Sequence, residues 1–574
     1  MILLGINAYH GDASAALIID GKLIAAAEEE RFNRIKHSAG FPFLAIEYCL
    51  KEASITLKDI DYIAISRNPS ANLYKKIMFL LVKGNFMSKM VKDRLSSAAR
   101  VLDIKKEIAS YFQVPISEIK APVYKVEHHL AHAASAYYVS PFEEATIVTV
   151  DGFGDFCSTT WGSGKGNEIK LQEKVIFPHS LGIFYTAMCQ FIGFKKYGDE
   201  GKVMGLAPYG KPEFIDIMRK IIIPKKNLFE LNLKYFIHHT DGVDMTWQSG
   251  SPTISMIYSK ELAAILGSPR EPSEPIKPHH ENIAASMQQV LEENVLSLIR
   301  GAVKSTGITN LTLAGGVAFN SVMNGKIREE TDVKNLYIQP AAGDAGTALG
   351  AALYVYHTIM NQPNRHIMNH AYTGPSYDDS HIESALKAFH LEYDYVTNHS
   401  HLAAQLVAEG KIIGWFQGRM EFGPRALGNR SIIADPRRAE IKDILNARIK
   451  HRESFRPFAP SVLYEHTADY FEYSGESPYM LLVYPVRENK KKEIPAVTHV
   501  DGTGRLQTVK KDDNAAYYDL IHNFYTITGV PVVLNTSFNE NEPIVCSPED
   551  AIRCYTTAHM DALFLSHFCI QREK

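Results

Sequence analysis

Paired cysteines, excess charge of one sign and long apolar runs are all missing from this chain of 574 residues. Its six cysteines (Cys49, Cys157, Cys189, Cys546, Cys554, Cys569) lie apart without a CxxC spacing, which excludes a disulfide framework and a sulfur-ligated zinc. A reducing, cytoplasmic setting is expected. The formal charge of -3 lacks the basic footprint of nucleic-acid or anionic-membrane binding, so no nucleic-acid partner is expected. No apolar run approaches the roughly 18 residues that cross a bilayer. The opening Met1-Ile2-Leu3-Leu4-Gly5-Ile6-Asn7 has no basic start, so neither membrane insertion nor a signal peptide is expected. What is present, 45% hydrophobic and 22% charged residues, describes a soluble globular protein long enough for two or more domains.

One run carries chemistry: His128-His129-Leu130-Ala131-His132. On a helix, His128 and His132 share a face one turn apart while His129 points elsewhere. Asp151, in the acidic glycine loop Val150-Asp151-Gly152-Phe153-Gly154-Asp155, can add a carboxylate. A divalent metal site is one reading, and a pair of hydrogen-bonded helix histidines is the other. The N-terminus patterns as a hairpin: Ile2 to Asn7, the polar loop His10-Gly11-Asp12, then Ala15 to Ile19, turning at Asp20-Gly21 into Leu23 to Ala27. Thr146 to Val150, the 151–155 loop and Ser158 to Trp161 repeat that plan faintly. Duplicated hairpins with an acid in the first turn are how actin-like and sugar-kinase-like ATPases hold phosphates, which makes Asp12 and Gly152 candidate nucleotide contacts. Gly315, Gly316 and Asn320, where the strand Leu311 to Ala314 runs into a glycine turn, are further candidates, because glycines let backbone amides approach a phosphate or nucleoside. Asp344, between Gly343 and Gly346, is either a helix N-cap or a fourth metal ligand. Ile283, Met287, Val290, Leu291, Val295, Leu298 and Ile299 recur at helical spacing and mark a core helix.

Periodicity lapses between about Met360 and Tyr377, which places a linker at 366–380 between a first domain, 1–365, and a second, 381–574. Past it, arginines sit inside glycine and proline turns: Arg425 and Arg430 in Phe422-Gly423-Pro424-Arg425-Ala426-Leu427-Gly428-Asn429-Arg430, Arg456 shortly after Lys450, and Arg505 in Asp501-Gly502-Thr503-Gly504-Arg505. Guanidinium forks held by rigid turns suit phosphate or carboxylate ligands. A strand ending in Asn535-Thr536-Ser537 offers amide and hydroxyl groups to a nucleotide. Lys202, in the glycine loop 198–205, either contacts a phosphate or belongs to a tight connection. The basic segment 75–106, with interleaved apolar residues, reads as an amphipathic surface insertion or as a docking face for an anionic or lipid-linked acceptor.

Six blocks carry a family resemblance: HGDASAALIIDG (10–21), EEERFNRIKH (28–37), HHLAHAASAYY (128–138), YGDEGKVMGLAPYG (197–210), LAGGVAFN (313–320) and FQGRMEFGPRALGNRSI (416–432). Together they resemble the NodU/CmcH O-carbamoyltransferases, the tobramycin carbamoyltransferase among them, over essentially the whole chain. The resemblance implies an α/β architecture: an N-terminal actin/sugar-kinase-like domain similar to the tRNA threonylcarbamoyl transferases, and a C-terminal YrdC-like domain. It implies that ATP, with Mg, and carbamoyl phosphate give carbamoyladenylate and pyrophosphate in the second domain. A hydroxyl-bearing small-molecule or sugar acceptor then displaces AMP in the first. By resemblance, Arg425, Arg430, Lys450, Arg456, Arg505, Asn535 and Ser537 contact ATP and carbamoyl phosphate. His128, His132, Asp151 and Asp344 hold a metal, Fe(II) by resemblance, with Zn(II) or Mn(II) compatible with the same donors. His10 is suited to take the acceptor's proton, Lys36 and His37 to line the acceptor entrance, and a homodimer is implied. Two other readings use similar parts: threonylcarbamoyl transfer to tRNA, which the net charge disfavours, and a non-catalytic actin-like nucleotide-binding regulator.

Overall fold

Three antiparallel strands followed by two parallel ones recur twice in the first half of the chain. In the computed structural model, which describes residues 1–83, 103–246 and 251–572, the chain divides into two compact units, Met1–Met368 and Asn369–Lys574. The first sheet of unit one runs Lys22–Glu28, Ser14–Ile19, Ile2–Asn7, Tyr62–Ile65, Val123–Lys125 in spatial order. Its first three strands pair antiparallel and its last two join in parallel. The second sheet runs Glu168–Ile176, Cys157–Lys165, Glu144–Gly154, Asn310–Ala314, Asn335–Ile338 with the same directions. The faint repeat in sequence is therefore a duplicated α/β sheet, the arrangement of the actin- and sugar-kinase-like folds.

The strands at the centre of each sheet are buried on both faces, and their near-continuous apolar runs follow from that. Helix His128–Tyr137 and the small-residue helix Gly346–Tyr354 pack together. The second is tied toward the first sheet by Ser14 Oγ donating to the Ala345 carbonyl (2.7 Å) and by Thr347 Oγ1 donating to Ser66 Oγ (2.8 Å). Helix Pro278–Thr306 buries all seven positions that the helical spacing marks, Ile283 through Ile299. Residues 84–102 of the basic segment lie outside the described residues. The helix Leu73–Lys83 at its start exposes Leu73, Tyr74 and Ile77.

Unit two is one nine-stranded mixed sheet. Its order is Asp394–Tyr395, Phe568–Gln571, Ala562–Leu565, Ile413–Phe416, Arg430–Ala434, Val532–Ser537, Ala459–Leu463, Thr503–Val509, Leu482–Pro485. Trp415, Phe458, Phe524 and Leu534 are among the residues that fill its core, with helices His399–Ala408 and Ala515–Thr528 packed together. Part of the stretch expected as linker is hydrogen-bonded into this unit: Gly374 N donates to the Met420 carbonyl and Met420 N to that of Pro375. Asp378 caps the helix Asp379–Ala388.

Candidate active site

His128 opens its helix, with Glu127 as N-cap accepting from Leu130 N (2.8 Å). One turn on, His132 brings its Nε2 to 3.1 Å from that of His128. Asp151 Oδ2 stands 3.2 Å from His128 Nε2 and 3.7 Å from His132 Nε2, and Asp344 Oδ1 stands at 3.5 and 3.6 Å. Four donors bound to one first-row cation at about 2.0–2.2 Å have tetrahedral edges of about 3.3–3.6 Å. The observed separations are of that size. The chemistry of the set agrees: two imidazole nitrogens that face each other need a proton or a cation between them, and two carboxylates supply the balancing charge. His129 turns away, its Nδ1 meeting Thr149 Oγ1 at 2.7 Å. The carboxylate of Asp344 is not a helix cap, since Thr347 N is taken up by its backbone carbonyl.

Neighbours fix this geometry. Asp155 Oδ2 accepts from His128 N (3.0 Å) and from Asn68 N (2.7 Å), and Gly316 N donates to Asp151 Oδ1 (2.7 Å). A Cβ at Gly154 would lie 2.0 Å from atoms of the His128 ring, so only glycine lets that imidazole lie where it does. Burial opposes charging His128, but the hydrogen bond to Asp151 and the charge of Asp344 overcome it and lift its pKa to about 9. His132 is raised for the same reasons. Burial pushes Asp344 up, reinforced by the charge of Asp151. Asp151 goes the other way, because the hydrogen bonds from both histidines outweigh its own burial. His10 sits 5.5 Å, ring to ring, from His128, with Nε2 buried and unpartnered. Burial, then Arg67 and His128, hold its pKa well below the ordinary imidazole value.

The other residues expected of this site are more dispersed. Asp12 bonds His37, with Oδ1 2.6 Å from Nδ1. Lys36 is half-buried beside it, and its charge opposes protonation of His37. Lys202 Nζ pairs with Asp199 at 2.9 Å and lies over the Phe194 ring. Gly152 and Gly315 flank Asp151 through the chain and through the turn, where Gly315 adopts φ +96°. Asn320, expected at the adenylate, caps the helix Ser321–Glu330 with its side chain and exchanges two hydrogen bonds with Gln288.

In unit two, Arg425, Arg452, Arg456 and Arg505 form a cluster whose charges act on one another. Burial and then Arg456 lower Arg425 to about 10 and Arg452 to about 9, and Arg505 is depressed further by burial and by the other three. The Nε atoms of Arg425 and Arg505 have no hydrogen-bond partner. Arg452 was not among the expected contacts, although it lies in the same run as Lys450 and Arg456. Arg430 does not join the cluster. It is fully buried, donates to the carbonyls of Gln417, Gly418, Asn429 and Pro375, and stacks on Phe416 at 3.6 Å. Lys450 is likewise buried, its ammonium donating to Asn539 O (2.6 Å), Asn539 Oδ1 (2.9 Å) and the Ser537 carbonyl. Ser537 Oγ donates to Asn539 Oδ1, and Asn535 Nδ2 donates to Gln507 Oε1, Ser461 Oγ and the Ala426 carbonyl. Arg430 and Lys450 are thus tied to backbone carbonyls of their own unit, in contrast to the arginine cluster. Glu421, missed in sequence, organises the Arg425 turn: its Oε1 accepts from the amides of Leu427, Asn429 and Arg430.

A family model described as Carbamoyltransferase N-terminus matches residues 2–353, and one described as Carbamoyltransferase C-terminus matches 404–572. The chain belongs to the carbamoyltransferase family. As a carbamoyltransferase it is an enzyme. It is 40% identical to the nodulation protein NolNO of Sinorhizobium fredii, over 99% of this chain and 80% of that protein. It is 41% identical to the nodulation protein NolO of Bradyrhizobium diazoefficiens, over 78% of this chain and 79% of that one. Among solved structures it is similar to component A of the Acidaminococcus fermentans (R)-2-hydroxyglutaryl-CoA dehydratase, at 14% identity and TM-score 0.33, covering 62% of this chain and 97% of that one. HypF of T. kodakarensis is similar at 14% identity and TM-score 0.31, over 61% and 47%. No helix among the described residues of this carbamoyltransferase is long and apolar enough to cross a membrane.

Proposed function

We propose that this carbamoyltransferase activates carbamoyl phosphate with ATP in unit two, which would then be a YrdC-like domain spanning about residues 381–574, and transfers the carbamoyl group to a hydroxyl acceptor in unit one. The observation that carries the reading is the segregation of donors: four guanidiniums gathered in one unit, two histidines and two carboxylates in the other. Carbamoyl phosphate and Mg-ATP are polyanions, and a half-buried cluster of cations without acid partners of matching number stabilises charge on departing phosphate. Atom balance sets the first step. Water takes the phosphoryl group of carbamoyl phosphate as inorganic phosphate, and the carbamate oxygen displaces pyrophosphate from the α-phosphorus of ATP. Arg425, Arg452, Arg456 and Arg505 hold the oxygens on which that charge develops.

Carbamoyladenylate is then the donor at the first site. His128, His132, Asp151 and Asp344 would hold a divalent cation, Fe(II), Zn(II) or Mn(II), which when bound polarises the carbonyl of the adenylate. Gly152, Asp12 and Lys202 would contact the adenylate, and Lys36 and His37 would line the approach of the acceptor. The acceptor is a sugar or other hydroxyl-bearing small molecule. Incubation with labelled carbamoyl phosphate and ATP tests this. Pyrophosphate and phosphate should appear in equal amounts, each requiring carbamoyl phosphate; release of ADP instead, or dependence on threonine and bicarbonate, overturns the reading. His132→Ala should lose carbamoyl transfer while retaining pyrophosphate release.

A further inference from the structure

An apolar face is left open beside the first site. In the helix Leu73–Lys83, the side chains of Leu73, Tyr74, Ile77, Met78 and Leu81 are exposed, Leu81 at 73%. Successive helical residues turn by about 100°, so these five fall within an arc of about 140° and run for about 12 Å along the axis. Phe79 lies on the opposite side, its ring edge-on to Phe156 (5.8 Å) and Phe177 (5.1 Å). The helix is held by its narrow side and turns its broad apolar side to solvent. Exposed apolar residues scattered singly are ordinary, whereas a continuous stripe marks a surface that meets something else.

The charge around the stripe says what it meets. By the same helical spacing Lys75 and Lys76 stand at its two borders. Lys75 is exposed, and Lys76 is half-buried with its ammonium donating to the Pro69 carbonyl (2.8 Å). Lys174, exposed on the strand Glu168–Ile176, donates to Asn72 Oδ1 (2.8 Å) at the start of the helix. The helix has three lysines and no acid, and no acid occurs in the sequence between Asp61 and Asp93. The formal charge of -3 belongs to the chain as a whole, and this border is positive. A second copy of the chain seated on the stripe would set lysine against lysine. A bilayer with anionic headgroups over apolar chains answers both parts of the pattern, since lysine stems lie along apolar surface while their ammonium groups reach the headgroups.

We infer that the face from Leu73 to Leu81 docks this enzyme on an anionic lipid surface. With 11 residues the helix is too short to cross a bilayer, and it lies in the interface with its axis along the plane. Its mooring connects docking to the first site. Asp155 Oδ2 accepts from Asn68 N (2.7 Å) and from His128 N (3.0 Å), and the Asp155 carbonyl accepts from Asn72 Nδ2 (2.9 Å). One residue therefore joins the start of the exposed helix to the start of the helix that carries His128 and His132. A docked enzyme holds that site close to the surface, within reach of hydroxyl groups carried there. Docking itself does not depend on the carbamoyl-transfer reading.

Sedimentation of the full-length protein with vesicles tests the inference, using phosphatidylcholine alone or with an equal share of phosphatidylserine. The protein should pellet with the mixed vesicles, at least about tenfold more tightly than with phosphatidylcholine alone, and added salt should release it. Ile77→Gln combined with Leu81→Gln should weaken binding on the order of 10- to 100-fold. Lys75→Glu should weaken it on the mixed vesicles only. Ile527→Gln, a change of an exposed apolar residue in unit two, should leave it as in the wild type. All these positions face solvent, and an unchanged thermal unfolding curve shows that each variant is folded. Failure to pellet with either vesicle, equal affinity for both, or undiminished binding by the Ile77 and Leu81 double variant overturns the inference. A wild-type dimer in analytical ultracentrifugation that the same double variant dissolves also overturns it, and gives the face to a second copy of the chain.

Discussion

At the scale of residues, the same amino acid in the same kind of turn has two fates. Arg430 ends inside a ring of carbonyls, whereas Arg425 and Arg505 end among other guanidinium charges. Arg430→Ala strands at least four carbonyls and should destabilise unit two by about 3–5 kcal/mol, as for other buried charged groups stripped of their partner, read by denaturant unfolding. Arg505→Ala relieves repulsion among like charges, so stability should hold or rise while carbamoyl-phosphate-dependent pyrophosphate release is lost. No sequence pattern separates these arginines, because the difference lies in which distant carbonyls converge on each. The pairing of His128 with His132 was legible, since helical periodicity alone sets it. Asp344 was legible only as a choice between cap and ligand, because the choice depends on a helix more than 200 positions away in the chain. Gly154→Ala should displace the His128 ring and cut bound metal, measured by elemental analysis of the purified protein, with little loss of pyrophosphate release.

Among elements, those with a strong period were readable and those built by side chain to backbone contacts were not. Helix Pro278–Thr306 announced itself by its apolar spacing, and the two N-terminal hairpins by alternation around a polar loop. The turn 421–430 did not, since its order comes from a single carboxylate, Glu421, receiving three amides. Glu421→Gln keeps the shape but replaces charge-assisted bonds with neutral ones. It should cost about 1.5–3 kcal/mol and raise the KM for carbamoyl phosphate more than it lowers kcat, as the Arg425 turn loosens. Steady-state kinetics of pyrophosphate release, beside thermal unfolding, checks both parts.

For the whole molecule, two units with separate cores should give two unfolding transitions in calorimetry, each answering to its own ligand. Mn(II) or Zn(II) should raise one and Mg-ATP with carbamoyl phosphate the other, by about 2.7 kcal/mol at a ligand concentration near one hundred times Kd. His132→Ala should abolish only the first response. The change of texture near residue 370 signalled two units, but the nine-strand order of the second was illegible, because five of its eight neighbouring strand pairs are not consecutive in the chain. The repeated strand order of unit one has its own consequence. Asp12 stands in the loop that joins the first two strands of its sheet and Asp151 near the end of the first strand of its own, and each meets an imidazole, at 2.6 and 3.2 Å. The two pairs are not equivalent under the repeat, since His37 follows its aspartate in the chain whereas His128 precedes its own. The same sheet, used twice, thus meets its imidazoles from opposite directions along the chain, and the second copy alone sets a further histidine and a further carboxylate beside its pair.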